Sequence, residues 1–533
     1  MRRAKHSAAF LGLCTSAVIG QQVTTWRVDD LSVRHRSEVA LGISQVKDDV
    51  IVAWHEHITP LSNRVHYNVS MNGLAFRPAA TVGPVPLPSG ASLVAADPMV
   101  CFAADGTGWV GHMAYDEVPR ERFWLSSYQS GNAYVNQAEP VADPGNFVDK
   151  GVLVAGPPAG GGSDVLRLVY TVTNATVLTR LRAINDPPAS AFPVGPTSGG
   201  NSGGPNGAVI VPTTLGTRWV VAYHEQLSSG ALIMPSATWS GNDGATWTNS
   251  VQPRSSTVHG DGSGSQQEVI AWFNPNDAVV PVGGPYVLNT PSIASDPSNP
   301  NVMYMAFLGR TLSGSVNTAL DNVDLFIARS TDRGENFSGI PAGREVLRLR
   351  DVEDLDDPQG SIQFLPAIAV TSDGAIHVTY YVAWKEGGLW KYRVKMASMA
   401  AFNSDPGPSA DPVWTLNLTG IFDMEDSVVT YITSQNRVFF GDYIMASARG
   451  CEVWTGYVSA EGLPSTGVFV TKVNFCLDAD VNHDGALTNL DPAKFVEYFA
   501  AGDPRADLNR NAHTDTGDVA RFLESFACGC NPP

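Results

Sequence analysis

Two acidic segments near the C-terminus have the residue types and spacing of calcium-binding loops. In each twelve-residue segment, oxygen-bearing side chains stand at positions 1, 3, 5, 9 and 12, and position 7 offers its backbone carbonyl. A hard cation such as Ca²⁺ takes six or more oxygen ligands, and this alternation directs them to one point. The predicted ligands are Asp480, Asn482, Asp484, Ala486, Thr488 and Asp491 in the first loop, and Asp507, Asn509, Asn511, His513, Asp515 and Asp518 in the second. We therefore expect two Ca²⁺ ions in this part of the chain.

The two loops differ at position 6, where the chain must turn sharply. This residue is Gly485 in the first loop and Ala512 in the second. Because glycine adopts unusual backbone conformations without steric strain, we expect the second loop to bind calcium more weakly. Apolar residues at helical spacing follow each loop, namely Phe495, Val496, Tyr498 and Phe499, and then Val519, Phe522, Leu523 and Phe526. This spacing predicts a short helix after each loop.

The duplicated loop-then-helix pattern of residues 478–530 resembles the type I dockerin module of secreted bacterial proteins. The closing sequence Cys528-Gly529-Cys530 resembles the dockerin variant that is named for its terminal Gly-Cys pair. The resemblance implies a cohesin partner, gripped by a calcium-ordered pair of helices. In the family, positions 10 and 11 of each loop help to choose the cohesin. Residues 489–490 differ from residues 516–517, so we do not expect the two docking faces to be interchangeable.

The N-terminal residues 1–20 have the layout of a secretory signal peptide. Three basic residues precede an apolar stretch from Ala8 to Ile19, which corresponds to the charged and hydrophobic regions of such a signal. The apolar stretch is too short to span a bilayer in a mature protein. We predict an exported protein that works outside the cytoplasm, secreted or docked at a cell surface, and is not inserted in a membrane.

The charge and the cysteines limit the partners and the compartment. The formal net charge is −18, and −21 without the signal segment, so nucleic acid is not an expected partner because its phosphates require basic patches. In an oxidising compartment, Cys476 is expected to pair with Cys528 or Cys530, and the sequence does not distinguish the two. Cys101 and Cys451 are expected to act as small buried apolar residues.

The intervening sequence is built from a repeated unit. With 51 Gly, 36 Pro and 16% charged residues, it indicates many short strands joined by turns. A unit of two strands whose second strand ends in an aromatic recurs, with the aromatics at Trp54, Tyr115, Tyr170, Tyr223, Phe307, Trp384 and Tyr457. This spacing is typical of a β-propeller blade with four strands. We predict an all-β propeller of seven blades, with six as the alternative, in which these aromatics are equivalent. A strand within residues 22–36 is expected to complete the last blade, because a ring must not leave an unpaired edge.

A turn motif of the form Ser-x-Asp-x-Gly-x-x-aromatic also recurs. It is found at Ser330–Phe337, at Ser240–Trp247 with Asn in the third place, and in a shortened form at Ser70–Phe76. A short Asx side chain bonds to backbone amides in such a turn, and the glycine takes a positive φ. These turns resemble the Asp boxes of sialidase-like (BNR-repeat) propellers, which join the third and fourth strands of a blade. The resemblance implies a sialidase-like propeller over residues 21–475, followed by the dockerin-like module of residues 476–533.

The catalytic arginines and the Tyr–Glu pair of a sialidase cannot be placed in this sequence. The candidate catalytic residues are instead four glutamates that each lie two residues beyond a repeat aromatic, Glu56, Glu117, Glu225 and Glu386. Carboxylates about 5 to 9.5 Å apart can hydrolyse glycosides, whereas a carboxylate that recurs around a ring also serves to cap turns.

Two functions are compatible with these patterns. The resemblances imply a secreted protein that acts on or recognises glycans, as a glycoside hydrolase of polysaccharides, while it is docked to a cohesin. The alternative is a non-catalytic propeller that binds glycan or protein and is anchored at the cell surface through its dockerin.

Overall fold

A computed structural model of the 533-residue chain describes residues 22–29, 35–59, 62–77, 79–81, 94–115, 122–128, 137–142, 147–158, 161–173, 178–183, 192–194, 201–213, 216–226, 233–244, 246–248, 269–271, 284–287, 290–312, 323–337, 346–348, 361–372, 374–399, 414–424, 438–461, 466–475, 479, 481, 489–506, 508 and 514–527. The predicted signal peptide and the cysteines Cys476, Cys528 and Cys530 lie outside these residues. The chain forms two compact units: residues 27–470, and residues 471–533 together with the N-terminal strand up to Trp26.

Antiparallel strands dominate the larger unit. The N-terminal strand is β1 (Gln22–Arg27). The first sheet contains β2 (His35–Ile43), β3 (Val50–Thr59), β4 (Ser62–Ser70) and β5 (Ala80–Thr81). The second sheet contains β6 (Val94–Phe102), β7 (Gly108–Tyr115), β8 (Arg122–Tyr128) and β9 (Gln137–Ala142). The third sheet contains β10 (Phe147–Gly156), β11 (Val165–Thr173), β12 (Leu178–Ala183) and β13 (Phe192–Val194). The fourth sheet contains β14 (Asn201–Thr213), β15 (Gly216–Gln226) and β16 (Ile233–Ser240).

The later sheets follow the same plan. The fifth sheet contains β17 (Val269–Ala271), β18 (Ser292–Ser295), β19 (Met303–Leu312), β20 (Asp324–Ser330) and β21 (Val346–Arg348). The sixth sheet contains β22 (Ile362–Val370), β23 (Ile376–Glu386), β24 (Leu389–Met399), β25 (Trp414–Asn417) and β26 (Phe422–Asp423). The seventh sheet contains β27 (Met445–Arg449), β28 (Glu452–Ser459) and β29 (Gly467–Asn474), with β1 at its edge.

The sheets of the larger unit succeed one another around a closed ring. One strand of each sheet contacts the corresponding strand of the next sheet, and these inner strands are β2, β6, β10, β14, β18, β22 and β27. The series closes because β27 also contacts β2. Sheets repeated around an axis in this way define a β-propeller.

The N-terminal strand completes the last sheet, as the sequence predicts. Strand β1 pairs with β29, so that the order in the sheet is β1-β29-β28-β27. Within the larger unit, the Val28 N–H donates to the Val468 carbonyl at 2.9 Å. The hydrogen bond between Val28 and Val468 brings both ends of the larger unit together, and a paired edge strand leaves fewer unpaired backbone groups.

The repeat aromatics do not all share one register. A β-bulge in the inner strand fixes the alignment of several sheets. The residues opposite the bulge are Trp54, His112, Tyr170 and Tyr380 in the first, second, third and sixth sheets. Tyr115 and Trp384 lie three and four residues further along their strands. The prediction of equivalent aromatics is therefore wrong for these two, because the short phrase around the aromatic recurs without a fixed distance from the bulge.

The Ser-x-Asp-x-Gly turns have the predicted local structure. The Ser330 hydroxyl donates to Asp332 Oδ1 at 2.7 Å and accepts the Gly334 N–H at 2.8 Å. Phe337 is fully buried beneath the turn, and Ser240 accepts the equivalent glycine N–H at 2.8 Å. The turns follow β16 and β20, where a side chain that satisfies backbone amides can close a tight turn.

The second unit contains two helices around a small aromatic core. The helices are α1 (Leu490–Ala501) and α2 (Thr516–Ala527), and a 3₁₀ turn at Pro504–Ala506 lies between them. Phe495 and Phe522 stack with ring centroids 4.3 Å apart and form the core with Ala479, Val481 and Ala506. No helix in the described ranges is long and apolar enough to cross a membrane.

Candidate functional site

Three carboxylates and one lysine meet at the inner strands of the ring. Glu38 lies on β2, Asp97 on β6 and Lys150 on β10, and Asp442 comes shortly before β27. One carboxylate oxygen of each acid lies within 4.8 Å of the others. The exposed fraction is 4% for Glu38 and Asp97 and 8% for Asp442. We call these four residues the inner-strand cluster.

Bulges in the inner strands position the cluster. Glu38, Asp97 and Lys150 have φ values of 53°, 48° and 53°, which is uncommon outside glycine, and a bulge changes the direction of the side chain it carries. The Asp97 N–H donates to Glu38 Oε2 at 3.3 Å, and the Lys150 N–H donates to Asp97 Oδ2 at 3.0 Å. The Lys150 ammonium in turn pairs with Asp442. Glu38 and Asp97 are thus each held by the next sheet around the ring, whereas Lys150 pairs with a residue beside the seventh sheet.

His55 and Lys150 keep Glu38 ionised. Burial by itself would raise the pKa of Glu38, but attraction to His55, whose Nδ1 lies 3.0 Å from Glu38 Oε2, and to Lys150 lowers this pKa to about 2. The His57 ring lies 4.0 Å from the His55 ring, and its Nε2 is 2.8 Å from Ser37 Oγ. Burial and then the neighbouring His55 lower the pKa of His57 to about 3. Near neutral pH, Glu38 is therefore an anion and His57 is uncharged.

The spacing of the carboxylates limits what the cluster can do. Retaining glycosidases hold their two carboxyl groups about 5–5.5 Å apart, with one as nucleophile and the other as proton donor. The carboxylates of Glu38 and Asp97 are close enough for such a pair. Asp442 differs from them because the ammonium of Lys150 neutralises it. The arrangement is chemically suited to stabilise or attack a positively charged centre.

The glutamates predicted from the sequence lie elsewhere, so far as they are described. Glu56 is 1% exposed, and its carboxylate lies 3.5 Å from Arg36 Nη2 and 2.9 Å from His66 Nε2, which makes it a buried ion-pair residue. Glu386 is exposed at the end of β23 and lies 3.9 Å from Lys391 Nζ. Glu225 lies on β15, and Glu117 is outside the described residues. The catalytic assignment of these four remains a prediction.

Sequence reasoning missed the inner-strand cluster, although a signal for it exists. In three successive repeat units, one charged residue stands at the same place, directly before the apolar part of the first strand. These residues are Glu38, Asp97 and Lys150. Charge that recurs at the first, bulged position of a repeat indicates the axis of a ring, where equivalent residues from neighbouring sheets meet.

Only part of the predicted calcium loops is described. The described ligands are Asp491, Asp515 and Asp518, and the other nine lie outside the described residues. Asp491 and Asp518, at position 12 of each loop, are 0% exposed and lie in the first turns of α1 and α2. A carboxylate removed from water requires strong partners, and Asp518 Oδ2 accepts the Asp515 N–H at 2.8 Å. Asp491 and Asp518 thus occupy equivalent places in the two helices, and their assignment as calcium ligands stays a prediction.

Comparisons with known proteins give structural similarity at low identity. No protein-family model matches the chain, and no curated protein matches it either. A protein of unknown function from Dyadobacter fermentans is 11% identical over 85% of this chain and 99% of its own, with a TM-score of 0.40. An α-L-arabinofuranosidase of Fusarium graminearum is 11% identical over 71% of this chain and 92% of its own, also with a TM-score of 0.40. An intramolecular trans-sialidase of Ruminococcus gnavus is 11% identical over 82% of this chain and 94% of its own, with a TM-score of 0.31. These values are too low to transfer an activity.

Proposed function

We propose that this chain is a secreted propeller of seven blades, one for each sheet, that acts on glycans. The observation that carries the proposal is the convergence of Glu38, Asp97 and Asp442 from separate inner strands to within 4.8 Å. Buried carboxylates repel one another, so a fold that gathers three of them uses their charge. A glycosidic bond breaks through a transition state with positive charge on the sugar ring, which these anions would stabilise.

In this proposal, Glu38 and Asp97 have different roles. Glu38, with its pKa of about 2, is the nucleophile or the electrostatic stabiliser, because it remains ionised over the working pH range. Asp97 is the proton donor to the leaving oxygen. Lys150 holds Asp442 by an ion pair and keeps the cluster close to charge balance.

A hydrolysis screen of the full chain against aryl-glycosides and polysaccharides tests the proposal. Glu38→Gln and Asp97→Asn should each lower kcat by about 10²–10⁴-fold. Asp48→Asn is the control, since the Asp48 side chain is 57% exposed and pairs only with Arg449 among the described residues. Unchanged turnover in both cluster variants would exclude the cluster as the active site.

The second candidate is a propeller that binds glycan or protein without catalysis. The low exposure of the cluster favours it, because acids that are 4–8% exposed give a substrate little room to approach. In that case the wild-type protein would bind polysaccharide without releasing sugar. The Glu38→Gln variant would then release no sugar either, so the two proteins would not differ in the hydrolysis screen.

For the C-terminal unit, we propose a dockerin-like module that binds two Ca²⁺ ions and, when they are bound, a cohesin. The buried Asp491 and Asp518 support this assignment. Chelation should abolish binding to a cohesin, and added calcium should restore it. Cohesin binding that persists in chelator would contradict the proposal.

A further inference from the structure

A cavity of about 540 Å³ lies between hairpins of the second and third sheets. Residues 103–105 and Thr107, between β6 and β7, line one side of the cavity, and residues 162–166 line the other. Trp109 and Ala155 complete its wall. Asp97 and Ala103 are six positions apart in the chain, which corresponds to about 20 Å of extended strand. The cavity is therefore distinct from the inner-strand cluster.

An aromatic ring and two carboxylates supply the chemistry of the cavity. Trp109 is partly exposed and packs against the apolar core that contains Met99 and Leu168, so its indole is held in place. The Thr107 N–H donates to Asp105 Oδ1 at 2.7 Å, and this hydrogen bond holds the pKa of Asp105 below its usual value. The Ala104 N–H donates to Asp164 Oδ2 at 2.6 Å.

Each of these hydrogen bonds fixes a carboxylate while leaving acceptor capacity. An ionised carboxylate has two oxygens and about four acceptor positions. On Asp164 the Ala104 N–H takes one of them, and on Asp105 the Thr107 N–H, the Thr107 hydroxyl and the Asp105 N–H share the two oxygens. The remaining capacity of Asp105 and Asp164 suits hydroxyl donors, and hydrogen bonds to an ionised acceptor are the stronger kind. The hydroxyl of Ser163 adds a group that both donates and accepts.

We propose that this cavity binds a neutral sugar residue of a glycan chain. One face of a pyranose ring is lined by C–H groups and packs on an indole, while its hydroxyls donate to carboxylates at the edge. The volume lies within the usual range of small-molecule sites, about 300–1,000 Å³. The residues described as lining the cavity include no Lys or Arg, which disfavours an anionic sugar. A cationic ligand is less suitable, because an ammonium cage is built from several aromatic rings and Trp109 is the single aromatic among the described lining residues.

The inference rests on the proposed action on glycans and extends it to a second site. A sugar held between the two hairpins would keep a long glycan attached to the propeller while another part of that chain reaches the inner-strand cluster. The site would thus increase the effective concentration of the substrate at the cluster.

Calorimetric titration of the full chain with cellohexaose, xylohexaose and maltohexaose tests the site. Binding of at least one of them should weaken by more than tenfold in Trp109→Ala and in Asp105→Asn. Ser163→Tyr should weaken it as well, since Ser163 lines the cavity and is exposed on its hairpin, so that the larger side chain competes with the ligand for space. Asp48→Asn, in the hairpin between β2 and β3, is the matched control and should bind like the wild type. Circular dichroism of each variant verifies the fold.

Four results would overturn the inference. The first is wild-type affinity in both Asp105→Asn and Ser163→Tyr, and the second is no binding of any of the three saccharides at millimolar concentration. The third is binding of choline or N-acetyl-lysine amide in place of the saccharides. The fourth is loss of saccharide binding in Glu38→Gln but in none of the cavity variants. Failure of the proposed activity is distinguishable from failure of this site. Hydrolysis depends on Glu38, whereas saccharide affinity at this cavity should be unchanged in Glu38→Gln.

Discussion

Gly441 lies so close to Glu38 that a Cβ atom on Gly441 would stand 2.4 Å from the Glu38 backbone nitrogen. Gly441 also has a φ of +113°, a conformation that residues with side chains rarely adopt. The seventh and first sheets therefore meet through backbone at the point where Glu38 enters the inner-strand cluster. A glycine at this position is a requirement of the ring itself.

Replacement of Gly441 should disturb the cluster and the ring together. Gly441→Ala must move the bulge that carries Glu38, and we expect a loss of about 2–4 kcal/mol in the free energy of unfolding. Gly450→Ala is the control, because Gly450 also has a positive φ of +56° but no atom lies within 4 Å of its added Cβ. That variant should lose only about 1 kcal/mol. Urea denaturation measures both, and equal losses would contradict the close contact.

His112 should make the stability of the ring depend on pH. Burial lowers its pKa from 6.5 to about 4, so the unfolded chain takes up a proton at a higher pH than the folded chain does. The stability is unaffected above pH 6.5, and it falls as the pH drops from 6.5 towards 4, by about 3 kcal/mol in total. His112→Phe should remove this contribution and stabilise the fold at pH 4.5, because the equivalent residues Trp54, Tyr170 and Tyr380 are aromatic.

Tyr170→Phe provides the control for this measurement. It alters a residue at the equivalent position without removing a group that titrates in this range, so it should shift stability equally at every pH. Denaturant midpoints recorded from pH 7.5 to pH 4.5 test the prediction. An unchanged pH slope in His112→Phe would show that another group is responsible.

The parts of the structure that the sequence predicts are those with local causes. The turn at Ser330–Phe337 forms because a serine, an aspartate and a glycine form hydrogen bonds with one another within a few residues. Such a short spacing can be recognised in the sequence alone. Closure by β1 was predictable as well, since a ring with an incomplete last sheet leaves an edge. Both arguments require no knowledge of which distant residues meet.

The inner-strand cluster depends on distant residues, which explains why it was missed. Lys150 and Asp442 are 292 residues apart, and their meeting depends on the order of the sheets around the ring. The bulges set the register of each inner strand, and the repeat phrase around the aromatics gave no measure of where they fall. Tyr115 and Trp384 were misaligned for the same reason.

The Ser-x-Asp-x-Gly turns also join neighbouring sheets, through an arginine that the sequence did not single out. Arg218, on β15 of the fourth sheet, donates from Nη1 to the carbonyls of Asp332 and Arg333 at 3.2 and 3.3 Å. These residues belong to the turn of the fifth sheet. The Arg218 guanidinium also lies 3.8 Å from the ring centroid of Trp239. The turn is thus fixed to the preceding sheet as well as to its own.

Arg218→Ala should therefore destabilise the ring by about 2–4 kcal/mol, since it leaves two turn carbonyls without this donor and removes the stacking on Trp239. Glu335→Gln is the control. Glu335 pairs with Arg218 at 2.9 Å, but its side chain is 41% exposed, so the pair contributes less than about 1 kcal/mol. Chemical denaturation measures the free energy of unfolding of both variants. Similar losses in the two would show that the ion pair, and not the carbonyl contacts, connects the fourth and fifth sheets.

Calcium should order the C-terminal unit through Asp491 and Asp518. Both carboxylates are fully buried at equivalent places in α1 and α2, the helices that also carry the stacked rings of Phe495 and Phe522. A cation in each loop would neutralise them, and its removal would leave buried anions that destabilise the helix pair. Chelation should therefore reduce the helical signal of the full chain in circular dichroism and leave its strand signal unchanged.

Titration calorimetry should find two calcium sites in the wild type and one in either Asp491→Ala or Asp518→Ala. Asp503→Ala, between the helices and outside both loops, should keep two. The site lost in Asp491→Ala should be the tighter one, because position 6, where such a loop is expected to turn sharply, is Gly485 in the first loop and Ala512 in the second, and glycine adopts unusual backbone conformations without steric strain. Ala512→Gly should then raise the affinity of the second site towards that of the first. A full chain that takes up no calcium, or one whose tighter site survives Asp491→Ala, would contradict this assignment of the two loops.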